Sequence, residues 1–143
     1  MTYATVNDIK AVIPAHDLQL LTDQDGASDT IDDTKLAAAL DDATAECNSY
    51  IAKRVLLPLA DPPHMLKVAC RDLAVHRLYA NTGNIPEAQD KLQTAAVNYL
   101  KMVQDGKVSI GDETGGDEEQ TSPGVVMDEG PDRVMTRDSL RRF

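Results

Sequence analysis

The sequence predicts an all-α protein: a compact bundle of about four helices, one long and one central, then a short extended segment and a long C-terminal arm. Three observations carry that expectation. Aromatic residues make up only 3% of the chain and Trp is absent, so the core must be built from Leu, Ala, Val and Ile, which suits close-packed helices better than a β-sandwich. Apolar residues recur at helical spacing through most of the first 110 positions. Prolines stand where helices would begin and glycines where they would end.

Thr5 and Asp8 form a T-x-x-D start signal, with Val6, Ile9 and Ile13 following on one face. Pro14 closes that helix, and His16 to Leu21 reads as one further turn. Residues 22–26, Thr-Asp-Gln-Asp-Gly, have turn composition. A long helix starts near Asp33, with Leu36, Leu40, Ala43, Cys47, Tyr50 and Ile51 in one stripe; it cannot pass Leu57, because Pro58 follows. Arg54 lies eighteen residues after Leu36, five whole turns, so its guanidinium needs a carboxylate, backbone carbonyls or an exit past the core.

Asp61-Pro62-Pro63 opens a third helix that is apolar on most sides from Met65 to Ala80, with Lys67 and Arg71 as its exposed strip. Such a helix is central, or faces a partner as well as the core. Gly83 stops it. Pro86 starts a fourth helix whose inner face is Ala88, Leu92, Ala95, Ala96, Tyr99, Leu100 and Val103, and Gly106 ends it. Val108-Ser109-Ile110 is a short extended piece that could pair as a strand within an assembly.

Three regions follow: a helical core over 1–110, an acidic Gly-rich tether over 111–130 and a basic, apolar docking segment over 131–143. The tether holds seven carboxylates, five of the eight glycines and no Lys or Arg. The docking segment holds four arginines against two aspartates and ends at Phe143, the only Phe. An acidic Gly-rich stretch alone is usually a linker, whereas arginines beside Val134, Met135, Leu140 and Phe143 have the composition of a peptide that docks in a groove. Its anchors are Arg133, Arg137, Leu140, Arg141, Arg142 and Phe143. Arg54, Leu57, Pro58, Val108 and Ile110 form a second, structural or interface set.

Net charge is −10, a poor match for gripping nucleic acid through phosphates, although an acidic wall can surround a duplex without retaining it. No apolar run approaches the ~20 residues that span a bilayer, and no secretion signal is legible at the N-terminus. Cys47 and Cys70 read as reduced core residues. The carboxylates of residues 23–33 invite a calcium reading, but with Gly26 at the sixth loop position Leu21 falls at the first ligand position, and the template fails there. Turn chemistry and helix N-terminal acids are the plainer account. His76, four residues after Asp72, suggests an Asp–His pair; no metal-ligand spacing, nucleophile motif or phosphate loop occurs. The chain is read as a non-enzyme with no cofactor and no metal.

Tyr3-Ala4-Thr5-Val6-Asn7-Asp8-Ile9, Leu21-Thr22-Asp23-Gln24-Asp25, Ala39-Leu40 with Ala43, Tyr50-Ile51-Ala52-Lys53-Arg54 before Leu57-Pro58-Leu59, Gly106-Lys107-Val108-Ser109-Ile110-Gly111 and Arg137-Asp138-Ser139-Leu140 together carry a resemblance. The chain resembles a family of small phage proteins typified by gene product thirty-six of phage Mu. It departs at Val55, where the family often has an aromatic residue, and in a longer tether. The resemblance implies a structural virion protein of a tailed phage, made in the host bacterial cytoplasm and placed at the head–tail junction. There it would be a head–tail connector (adaptor, or head-completion) subunit: a homo-oligomeric ring, commonly of twelve copies, between the portal protein and tail-side stopper or tail-completion proteins, through which DNA passes without specific binding. The alternative from a different class is a monomeric acidic regulatory module, calcium-responsive through residues 23–33.

Overall fold

In the computed structural model residues 1–26 and 29–111 are described; the tether beyond Gly111 and the docking segment lie outside the described residues. Among the described residues five helices account for the regular structure: α1 (Val6–Val12), α2 (Ala15–Thr22), α3 (Asp33–Ile51), α4 (His64–Thr82) and α5 (Glu87–Gln104). The regular structure of these residues is all-helical, in line with the low aromatic content, and Tyr3, Val55, Leu59 and Ile110 join the core from the connecting segments.

Local chemistry explains each boundary. Thr5 caps α1: its backbone N–H donates to Asp8 Oδ2 at 2.7 Å, and Asp8 N–H donates back to Thr5 Oγ1 at 3.3 Å. Pro14 ends α1 and stands as the N-cap of α2. The expected single turn after it is a helix of eight residues, because Leu18 and Leu21 bury against α4 and that packing sustains a short segment with weak propensity. Asp32 caps α3, accepting from Thr34 N–H at 2.9 Å.

The α3 helix closes at Ile51, before the limit set by Pro58. Arg54 N–H donates to the Ile51 carbonyl at 2.9 Å, turning the chain so that Val55 and Leu59 enter the core. Leu56 is left 75% exposed between them. Gly83 and Gly106 end α4 and α5 with φ of +75°, a conformation that glycine adopts without penalty.

The central element is α4, which packs against α1, α2, α3 and α5. Its buried residues include Leu66, Ala69, Leu73, Val75 and Leu78. Three expectations need correction. Asp72 pairs with Arg71 at 2.7 Å, while His76 faces Asp90 of α5 at 3.6 Å; the adjacent guanidinium can fold back over Asp72, and the imidazole turns toward the neighbouring helix. The Lys67–Arg71 strip is half-buried rather than exposed. Finally, only the second half of the α5 apolar face is covered: Ala96, Leu100 and Val103 are buried, but Ala88, Leu92 and Ala95 are exposed.

Candidate functional site

Helices α3, α4 and α5 run alternately up and down, and cross-helix contacts fix their register. Arg77 Nη2 meets Glu46 Oε2 at 2.7 Å between α4 and α3, and Thr44 Oγ1 lies 3.4 Å from Cys70 Sγ. One end of the bundle therefore collects α2, the start of α3 and the finish of α4. The other collects the finish of α3 and α5 and the start of α4.

The second end is organised by Arg54. Its Nε–H donates to the Gln104 carbonyl at 3.2 Å, across fifty residues of chain. The cation thus sits at the negative end of α5, where an orphan carbonyl and the helix dipole favour it. Gly106 lies directly against this group: a Cβ there would fall 2.3 Å from Arg54 Nη2.

The residues singled out around Arg54 divide. Ile110 is buried and Val108 packs half-buried against the core, so both side chains contribute to the subunit's own interior. Leu57 is 38% exposed and Pro58 is exposed. With Tyr3, Asn48, Leu59 and Pro62 they line a groove of about 280 Å³. Tyr3 Oη donates to Asn48 Oδ1 at its base, and burial pushes the Tyr3 phenol above its ordinary 10.0. Arg133, Arg137, Leu140, Arg141, Arg142 and Phe143 lie outside the described residues.

The first end carries a larger opening that sequence reasoning missed. A cavity of about 540 Å³ runs between α2, α3 and α4 past Leu21, Asp42 and Leu78. At Leu21 it meets a second of about 400 Å³ lined by Asp17, Leu20 and Tyr79. Charge is polarised along the subunit. Residues 17–46 hold nine carboxylates and one lysine, whereas the remainder of residues 1–110 holds six carboxylates and nine bases. The signal was present in the sequence, but as a run of acids it reads as solvated surface until the fold gathers it at one end.

Several of those acids already have roles. Asp32 caps α3, Asp33 accepts Lys10 at 2.7 Å, and Asp29 accepts Gln19 Nε2 at 3.0 Å. Among the described residues no three His, Cys, Asp or Glu side chains converge to hold a metal ion, and no described helix is long and apolar enough to cross a membrane. Cys47 and Cys70 are free thiols with no exposed surface. Their shared hydrogen bond, and then burial, push the Cys47 thiol up, which keeps it protonated and unreactive.

Comparison with known proteins bears on this helical arrangement as a whole. Residues 3–129 match the family described as Bacteriophage Mu, Gp36. The chain belongs to that family. It is 36% identical over 114 residues to gene product J of Escherichia phage Mu, covering 80% of this chain and 79% of the relative. It is 28% identical over 114 residues, with the same coverage, to the Mu-like prophage FluMu protein gp36 of Haemophilus influenzae. The family match takes in all five helices and nearly all of the tether, but stops before residue 131. Arg137-Asp138-Ser139-Leu140, counted above toward the resemblance, lies beyond it.

Proposed function

We propose that this phage-family protein is a head–tail connector subunit: a non-catalytic piece of the virion that associates with copies of itself in a ring and seats between the portal and tail-side proteins. The observation that carries the reading is the uncovered stripe on α5. Ala88, Leu92 and Ala95 continue the apolar face that Ala96, Leu100 and Val103 bury lower down, yet Leu92 is 41% exposed and Ile85, just before the helix, 39%. A helix patterned as core but open over two turns is what a subunit interface needs.

The polarised charge supports the same reading. Unlike ends favour head-to-tail contact between identical copies, and head-to-tail contacts close into rings when the rotation permits. The acid-rich flank suits a conduit that must let DNA pass without holding it. Residues 131–143 are read as the segment that docks each copy onto a partner.

Mass by light scattering tests the proposal, using the protein alone and mixed with portal particles. The full chain should join the portal as a multimer. A full chain that stays monomeric and ignores the portal at every concentration would overturn the connector reading.

A further inference from the structure

The groove at the acidic end has no occupant among the described residues. Leu20, 59% exposed, and half-buried Tyr79 give it an apolar patch over the buried Leu21 and Leu78, with Gln24, Asn81, Thr82 and Asn84 as polar lining beside it. Asp17 and Asp42 stand on its rim. The two cations on its wall face acceptors of this chain, Arg77 Nη2 meeting Glu46 at 2.7 Å and Lys35 the Thr22 carbonyl. Asp42 lies 4.0 Å from Arg77 Nη1, and Arg77 Nε is buried without a hydrogen-bond partner among the described residues. The patch, set within a segment of nine carboxylates and one lysine over residues 17–46, suits an apolar ligand that brings positive charge.

The chain contains one segment of that chemistry outside the described residues. Residues 131–143 offer Val134, Met135, Leu140 and Phe143 among four arginines. The tether that delivers them starts at Gly111, at the opposite end from the groove. The distance is within reach. The nineteen residues of α4 span about 28 Å, whereas residues 112–130 extend to about 65 Å. We infer that residues 131–143 dock in the α2–α4 groove, with Leu140 and Phe143 on the floor beside Leu20 and Tyr79 and the arginines against Asp17 and Asp42. The inference rests on reading 131–143 as a docking segment, and it names the acceptor as a surface of this same chain.

A single tryptophan tests it, because the chain has none of its own. Phe143→Trp in the full-length protein should emit to the blue of its position in the denatured chain, either in the isolated protein or in its portal complex. Leu20→Asp, and separately Asp17→Lys with Asp42→Lys, should return the emission to the denatured position while circular dichroism stays helical. Arg141→Glu with Arg142→Glu should do the same, and combining that pair with the two lysines should restore shielding. Emission at the denatured position in both states would overturn the inference. Shielded emission that ignores every groove substitution would overturn the groove while leaving the segment a docking element for another partner. Portal binding is scored separately, so failure of the groove and failure of the connector reading give different results.

Discussion

Arg54 fills the space in which a side chain on Gly106 would begin. The two are fifty-two positions apart in the chain, and their contact joins the exit of α3 to the exit of α5. Gly106 is therefore constrained twice, by its φ of +75° and by a guanidinium 2.3 Å from where its Cβ would stand. Gly83 shares the φ but has nothing within 4 Å.

Gly83→Ala should cost only the left-handed penalty, about 1–2 kcal/mol. Gly106→Ala should cost more, about 2–4 kcal/mol, because Arg54 must leave its carbonyl as well. Arg54→Ala in the same chain should relieve part of the excess, so the double mutant falls short of additivity. Urea unfolding of the four variants reads this directly; equal losses at the two glycines would refute the constraint.

Alkaline pH should weaken the fold. Burial raises the phenols of Tyr3, Tyr79 and Tyr99 above 10.0. The folded chain thus holds these protons longer than the unfolded one. Their contribution is complete below the unfolded values and lost as pH rises through the folded ones. Tyr3→Phe should flatten part of that decline while costing about 1 kcal/mol at neutral pH through the lost hydrogen bond to Asn48. An unchanged alkaline slope in that variant would remove Tyr3 from the account.

Much of this architecture is legible along the chain. Thr5 and Asp8, Gly83 and Gly106, and the stripe from Leu36 to Ile51 act over a few residues, where sequence spacing and spatial neighbourhood coincide. The α2 helix was underestimated because Leu18 and Leu21 gain their burial from α4, far away in sequence. The partner of His76 was missed for a related reason, because spacing ranks neighbours on one helix and says nothing of Asp90 on the next, while Asp72 is taken by Arg71, its neighbour in sequence. The groove at the acidic end depends on the same long-range packing, so its acids were visible and their floor was not.

Both thiols should resist labelling in the native protein. Cys47 and Cys70 have no exposed surface, so an aromatic disulfide reagent reaches them only when α3 and α4 separate. Two thiols should titrate in urea and none in buffer on the same timescale, with the slow native rate following global stability. Rapid reaction of either thiol in buffer would show that α3 and α4 open independently.

Leu92→Glu should separate assembly from folding. The side chain is 41% exposed, so the change should alter monomer stability by no more than about 0.5 kcal/mol. The same substitution places a charge in the α5 stripe and should prevent self-association seen by light scattering. Assembly that survives it at the original strength would move the interface elsewhere.

The tie between Arg54 and the end of α5 also bears on mechanics. Residues 112–143 follow in sequence after Ile110, which is buried, and after the carbonyl that Arg54 holds. Tension on that segment consequently enters α3 and α5 together instead of unzipping α5 from its tip. A tethered part that transmits load must fail by shear across two helices, which distributes the strain over many contacts, rather than by peeling, which breaks them one at a time.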